Sequence, residues 1–85
     1  MEKIKVAVCG SNGKMGKEVT QAVISDNDTE LVAKIDIFNG EFKTIEDAQK
    51  ERKIDVLVDF TQPKSVFENA KFCLTHGIRP VIGTT

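Results

Sequence analysis

A short apolar run that passes directly into a glycine-rich segment constrains the fold of this chain more than any other feature. The run covers residues 4–9, and the glycine-rich segment Gly-Ser-Asn-Gly-Lys-Met-Gly covers residues 10–16. Apolar side chains then recur at helical spacing as far as Ser25, namely Met15, Val19, Ala22 and Val23. A buried strand, a tight turn and an amphipathic helix in this order are typical of α/β proteins.

The rest of the chain alternates strand-like and helix-like segments. Apolar runs predict strands at residues 30–37, 54–60 and 79–82, and a short helix is predicted at residues 44–51. A longer helix is predicted between Pro63 and Gly77. Its buried stripe is predicted to contain Val66, Phe67, Ala70, Cys73 and Leu74. Because strands joined by helical crossovers lie parallel, we expect a doubly wound, Rossmann-like α/β sheet of about four strands, with helices on both faces.

Length and charge restrict the classes of function. With 85 residues the chain makes one small domain, about half of a six-stranded dinucleotide-binding fold. Its net charge of −1 provides no long-range field for nucleic acid or an anionic membrane. The apolar run near the N-terminus is too short for a signal peptide or a membrane span. Cys9 and Cys73 lie in apolar segments, away from any metal-ligand spacing, so reduced thiols and a cytoplasmic location are expected.

The glycine-rich segment is the strongest candidate for a binding site. A helix N-terminus offers unpaired N–H groups and a partial positive charge, which favour a pyrophosphate. Gly10 is expected to permit the tight turn, Gly13 to let phosphates approach the backbone, and Gly16 to bring the helix close to the strand. As an alternative, glycine also serves any sharp strand-to-helix turn. The spacing here is G-x-x-G-x-x-G rather than the G-x-G-x-x-G of the dinucleotide-binding motif. The position between a strand and a helix therefore carries the phosphate hypothesis.

Asp36 lies at the end of the second predicted strand, twenty residues after Gly16. A dinucleotide site places a carboxylate there to bind the adenosine ribose hydroxyls, although a solvated turn aspartate is the alternative. Such a carboxylate repels a 2′-phosphate, so NADH is expected to be favoured over NADPH. Lys14 and Lys34 are the nearest cations that would weaken this preference.

Two polar segments end the third and fourth strands. Asp59-Phe60-Thr61-Gln62-Pro63 lies at the C-terminal end of the third, and Gly83-Thr84-Thr85 ends the fourth. In open α/β sheets ligands bind beyond these strand ends, so both segments are expected at the site. Thr61 alternatively caps the following helix, or does both. His76 is expected to complement the C-terminal end of that helix and to have no catalytic role.

Residues 6–16, 59–63 and 81–85 together resemble the dihydrodipicolinate reductase (4-hydroxy-tetrahydrodipicolinate reductase) family, in order along the whole chain. The pair Asp-Phe-Thr-x-Pro and Gly-Thr-Thr at this separation is the most specific part of the match. The resemblance implies an oxidoreductase that uses NADH or NADPH to reduce a cyclic dicarboxylate precursor, on the diaminopimelate route to lysine.

The resemblance also implies roles for individual residues. Residues 10–15 (Gly10, Ser11, Asn12, Gly13, Lys14 and Met15) would hold the pyrophosphate, and Asp36 the adenosine ribose. The nicotinamide side would be lined by Phe60, Thr61, Gly83, Thr84 and Thr85. Family members that accept NADP often carry an arginine after the acidic residue, where this chain has Ile37.

The resemblance further implies that residues 1–85 form an N-terminal dinucleotide-binding domain. The family's catalytic residues and its tetramer contacts belong to a C-terminal domain, which is expected to follow Thr85. We therefore expect the 85-residue piece to be monomeric and to lack reductase activity. Two other hypotheses are the cofactor domain of a different aspartate-pathway dehydrogenase, and a non-enzymatic nucleotide sensor or CoA-binding module. The first predicts a different continuation after Thr85, and the second predicts ligand binding without hydride transfer.

Overall fold

Strands and helices alternate along the whole of the described chain. The structure is a computed structural model, which describes residues 2–83. The strands are β1 (Ile4–Cys9), β2 (Thr29–Ile35), β3 (Val56–Asp59) and β4 (Arg79–Ile82). The helices are α1 (Lys14–Ser25), α2 (Ile45–Glu51) and α3 (Pro63–Thr75). No helix among residues 2–83 is long and apolar enough to cross a membrane.

The four strands form one parallel sheet in the order β2-β1-β3-β4. The chain moves from β1 outwards to β2, and then returns to place β3 on the other side of β1. Strand order therefore reverses between β1 and β3, where Cys9 pairs with Asp59. A reversal of this kind opens a crevice at the carboxyl ends of the two strands. The predicted doubly wound parallel sheet is confirmed.

Alternate residues of each strand face opposite sides of the sheet, and each side is covered by helices. Ala7, Cys9 and Leu57 belong to a buried cluster with residues of α2 and α3, including Ile45 and Cys73. The valines of β1 point to the other side, where α1 contacts β1 and β2. Crossovers from β1 to β2 and from β3 to β4 run in opposite directions, so the right-handed rule places α1 and α3 on opposite faces.

The predicted buried faces of the two long helices are partly wrong. Phe67 and Leu74 of α3 are each 73% exposed, whereas Cys73 is fully buried. The inward face is rotated because Asn69, a polar residue, points inwards and bonds to the end of β3. In α1, Met15 and Ala22 are exposed and the residues buried against the sheet are Gly16 and Thr20. Small side chains lie there because the helix starts close to the loop after β1.

Both cysteines are free and buried. Burial raises the pKa of the Cys9 thiol to about 12, and the negative charge of nearby Asp59 adds to the increase. The pKa of Cys73 is raised to about 11 by burial and by the same carboxylate. A thiol in an unfolded chain titrates near pH 8.5. The folded state therefore retains both protons, a contribution to stability that is complete below about pH 8.5 and is lost towards pH 11–12.

We predict that Leu57→Ala lowers the free energy of unfolding by about 2–5 kcal/mol, because it leaves a cavity in the central part of the sheet. Leu57 is fully buried, whereas Leu74 is largely exposed. Leu74→Ala is therefore the matched control, with an expected change below about 1 kcal/mol. Urea denaturation followed by circular dichroism measures both, and equal costs would contradict the assigned core.

We predict that a disulfide reagent such as DTNB modifies the folded protein at pH 8 at least about 100-fold more slowly than the urea-unfolded protein. The reacting species is the thiolate, which both buried sites disfavour. Release of the coloured thiol product measures the two rates. Rapid modification of one or both thiols under native conditions would show that the region around Cys9 and Cys73 opens readily.

Candidate functional site

Two adjoining clefts lie beyond the carboxyl ends of β1 and β3, at the point where strand order reverses. One, of about 400 Å³, lies between residues 13–16 and residues 60–63. The other, of about 460 Å³, extends from residues 9–13 towards the segment after β2. Both clefts are lined by Gly10, Gly13 and residues 60–62. They therefore form one continuous groove, and its two walls come from the ends of neighbouring strands.

The N-terminus of α1 lies at this groove, which residues 13–16 line. Gly13 is the N-cap residue, no side chain caps the helix, and its first turn carries no acidic residue. The first intrahelical bond is donated by the Lys17 N–H to the Gly13 carbonyl, so the three preceding N–H groups have no partner within the helix. By contrast, α2 has a Thr44 cap that accepts from the Asp47 N–H at 3.2 Å. The uncapped end of α1 is suited to an external anion.

The three glycines of the loop have different surroundings. Gly10 has φ +79°, a left-handed conformation that glycine adopts without strain. A Cβ at Gly16 would overlap the carbonyl oxygen of Gly10, so this glycine allows α1 to begin against the loop. A Cβ at Gly13 would meet only the Gly10 oxygen, at an ordinary 3.5 Å. Packing within the described chain therefore gives no reason for glycine at position 13, whereas close approach of a ligand does.

The other predicted loop residues lie at different depths. Asn12, Lys14 and Met15 are exposed, and Lys14 and Met15 line the cleft beside α3. Ser11 is buried, and its hydroxyl is the one buried side-chain polar atom of the described residues that has no hydrogen-bond partner. Its backbone N–H donates to Ile35 at 3.3 Å. The roles of these four residues towards a ligand stay predictions.

Asp36 lies directly after β2 and lines the groove. Its two carboxylate oxygens each accept one backbone N–H at 3.0 Å, from Asn12 and from Phe38. Each oxygen has a second lone pair, which a ligand hydroxyl can use. Ile37, which is 67% exposed, and Phe38 line the same cleft as apolar wall. The cleft therefore presents a fixed carboxylate beside apolar side chains, an arrangement suited to a ribose and a purine.

Phe60 lies between the two glycines that end β1 and β4. Its backbone is close to Gly10, where an added Cβ would come within 3.2 Å of the Phe60 carbonyl carbon. Its ring occupies the space that a side chain at Gly83 would need. Gly83 also lines the cleft that contains Lys14 and Met15, together with Phe60 and Thr61. The structure therefore brings these predicted residues to one wall of the groove, whereas Thr84 and Thr85 lie outside the described residues.

Thr61 does not cap α3, because the N-cap residue is Gln62. The Thr61 backbone N–H and hydroxyl instead donate to the Asp59 carboxylate, at 2.9 and 2.5 Å. The other Asp59 oxygen accepts from the Asn69 amide at 3.0 Å. Asp59 belongs to one of the sequence motifs, whereas Asn69 belongs to none. Asn69 lies six residues after Pro63 in α3. Because its side chain is polar, the pattern of apolar residues gives no sign that it points inwards.

Two further side chains clarify the boundaries of the site. Lys43, which belongs to none of the sequence motifs, lines the same cleft as Asp36, because an isolated bridge between Ile35 and Phe42 folds this segment back.

His76 is the C-cap residue of α3, with its ring stacked on Phe72 at 3.8 Å and its Nδ1 2.8 Å from the Phe72 carbonyl oxygen. It lies at the end of α3 remote from the groove, as predicted. Residues 2–83 contain no group of three metal-ligating side chains.

Comparison with known proteins identifies the same family as the sequence motifs. The family model that describes the N-terminus of dihydrodipicolinate reductase matches residues 4–85. The 4-hydroxy-tetrahydrodipicolinate reductase of Corynebacterium aurimucosum is 44% identical over 82 residues, which are 96% of this chain and 31% of that protein. The enzyme of Desulfitobacterium hafniense is 39% identical over an alignment of 102 positions, which covers 100% of this chain and 38% of the relative.

A solved structure agrees with these relatives. The dipicolinate-bound dihydrodipicolinate reductase from Paenisporosarcina sp. TG-14 superposes with a TM-score of 0.88 and 36% sequence identity. The match covers 98% of this chain and 38% of that one. The chain thus spans about a third of the length of the relatives that it matches. The resemblance inferred from the motifs is confirmed: this chain belongs to the dihydrodipicolinate reductase family and corresponds to its N-terminal domain.

Proposed function

We propose that this chain is the cofactor-binding domain of a 4-hydroxy-tetrahydrodipicolinate reductase. It binds NADH or NADPH in the groove and presents the nicotinamide to a small cyclic dicarboxylate, in the diaminopimelate route to lysine. The observation that carries the proposal is the uncapped N-terminus of α1, which faces the groove beside a glycine that the fold itself does not require. The family relationship supports the reaction class, since the relatives are named as this reductase.

The pyrophosphate would lie over residues 10–16. Backbone N–H groups at the start of α1 would donate to its oxygens, and the partial positive charge of the helix end favours the anion. Lys14, which lines the same cleft, would add a full positive charge. Because the donors belong to the rigid start of a helix, they need little reorganisation to receive the phosphates.

The adenosine half would lie in the cleft that contains Asp36, with the ribose hydroxyls donating to the carboxylate. A 2′-phosphate carries about 1.5–2 negative charges at pH 7, and it would stand beside this carboxylate. Lys43 is the single cation among the described residues that line this cleft. We therefore propose that NADH is favoured and that NADPH is tolerated through Lys43, in place of the Lys14 and Lys34 named from the sequence. Lys34 lines a separate cleft with residues 39–41.

The nicotinamide half would lie against the wall formed by Phe60, Thr61 and Gly83. The bound cofactor supplies the hydride, and the wall fixes which face of the ring is turned towards the substrate. Transfer requires donor and acceptor atoms held about 3–3.5 Å apart, so this chain supplies one side of that alignment. In the proposed enzyme a second domain supplies the groups that bind the dicarboxylate, and the dipicolinate-bound relative supports this class of substrate.

We predict that Gly13→Val weakens NADH binding at least about tenfold, which is about 1.4 kcal/mol, because its side chain keeps the pyrophosphate away from the backbone. The free energy of unfolding should fall by about 1 kcal/mol, since the site has space for a Cβ but valine is a poorer N-cap residue than glycine. Calorimetric titration of the folded variant measures the affinity.

Gly16→Ala is the contrasting variant. Its Cβ would overlap the Gly10 carbonyl, so we expect a loss of about 2 kcal/mol or more of stability. A Gly13→Val protein that binds NADH as tightly as the wild type would remove residues 10–16 from the cofactor site.

We predict that Ile37→Arg raises the ratio of NADPH affinity to NADH affinity at least about tenfold, because a guanidinium beside Asp36 pairs with the 2′-phosphate. Ile37→Met, which adds no charge, is the matched control and should leave the ratio within about twofold of the wild type. Titrations with both cofactors at low ionic strength measure the ratio. A wild-type protein that already binds NADPH more tightly than NADH would contradict the proposed role of Asp36.

A further inference from the structure

Asp59 is a buried acid at the end of β3, on the side of the sheet that α3 covers. Its side chain is 1% exposed and adjoins Cys9 and Cys73, whose thiol pKa values its charge helps to raise. Burial of a carboxylate in apolar surroundings is costly unless donors surround it. Asp59 has three such bonds: two from Thr61, at 2.9 and 2.5 Å, and one from the Asn69 amide, at 3.0 Å.

These bonds join the end of β3 to the following turn and to α3. The two Thr61 bonds close a tight turn between the end of β3 and the start of α3. The Asn69 bond holds the carboxylate from the second turn of α3, and the same amide lies 3.6 Å from the Cys9 sulfur. The Asp59 carbonyl also accepts from the Gly83 N–H at 2.8 Å, which connects β4 to the same residue.

The turn held in this way carries Phe60 and Thr61, the residues that line both parts of the groove. Phe60 has little freedom, since Gly10 contacts its backbone and Gly83 contacts its ring. A change in the Asp59 hydrogen bonds would act first on the turn that carries Phe60 and Thr61, because those bonds close it. We propose that Asp59 and Asn69 are positioning residues, which hold the Phe60–Thr61 wall in the geometry that receives the nicotinamide. This inference rests on the proposed function.

The proposed role acts on the wall that receives the nicotinamide, so its loss should weaken the binding of NADH more than that of a ligand without the nicotinamide. Asp59→Asn replaces one acceptor oxygen with a donor, which opposes either the Thr61 N–H or the Asn69 amide. Asn69→Leu keeps a side chain of similar size and removes the donor. Both changes lie away from Asp36 and from the start of α1, where the adenosine and pyrophosphate would bind. Glu68→Gln, an acid-to-amide change at the neighbouring exposed position of α3, is the matched control.

The test is a titration of the ¹⁵N-labelled protein with NADH and with ADP-ribose, which lacks the nicotinamide. In the wild type we expect both ligands to shift the amide signals of residues 12–16, and NADH to shift those of Phe60, Thr61 and Gly83 more than ADP-ribose does. In Asp59→Asn and Asn69→Leu we expect these NADH-specific shifts to fall by more than half. The dissociation constant for NADH should rise at least fivefold, and that for ADP-ribose should change less than twofold.

Glu68→Gln should match the wild type for both ligands. NADH-specific shifts that persist in both variants would overturn the positioning role. An equal loss of ADP-ribose binding would also overturn it, because a role in the fold as a whole affects both ligands. Binding of ADP-ribose by the wild type checks the proposed function separately. If the wild type binds ADP-ribose but NADH adds no further shifts, the proposed wall is wrong. If it binds neither ligand, the proposed function and the inference both fail.

Discussion

The pairing of β3 with β1, on the side opposite β2, is the constraint on which the groove depends. Because Cys9 pairs with Asp59, the loop after β1 and the turn after β3 leave the sheet at the same edge. Right-handed crossovers then start α1 and α3 at that edge, on opposite faces. If β3 lay beyond β2 instead, the two segments would be two strand spacings apart, about 10 Å, and no common groove would form.

The order of the elements could be predicted from the sequence, but the orientation of the helices could not. Gly10, Pro63 and Gly77 mark the ends of elements through backbone geometry, which is a local property. The inward face of α3 was predicted from apolar periodicity, and Phe67 and Leu74 were wrongly included. The true face contains Asn69, because a polar side chain is stable inside when it bonds to Asp59. A pattern of hydrophobicity contains no information about a bond between residues ten positions apart.

Residues of the same type at the candidate site also have different roles that sequence alone does not separate. Gly16 is required by the closeness of α1 to the loop, whereas Gly13 has space for a side chain. Both occupy positions expected of glycines in a phosphate-binding loop. Lys43 entered the site through the bridge between Ile35 and Phe42, a contact outside the named strands. The described residues that were predicted for the site therefore lie near one groove, and long-range contacts determine which other side chains line it.

Asp36 has hydrogen bonds within the fold as well as a position in the groove. Its carboxylate accepts the Asn12 N–H, which connects the loop after β1 to the end of β2, and the Phe38 N–H, which closes the next turn. Loss of the carboxylate would leave both N–H groups without these acceptors, so the fold favours an acid here whichever cofactor binds. The acid alone therefore does not determine the choice between NADH and NADPH. In the proposed cofactor site the choice would also depend on Lys43, which offsets part of this negative charge, and on Ile37, which adds no charge.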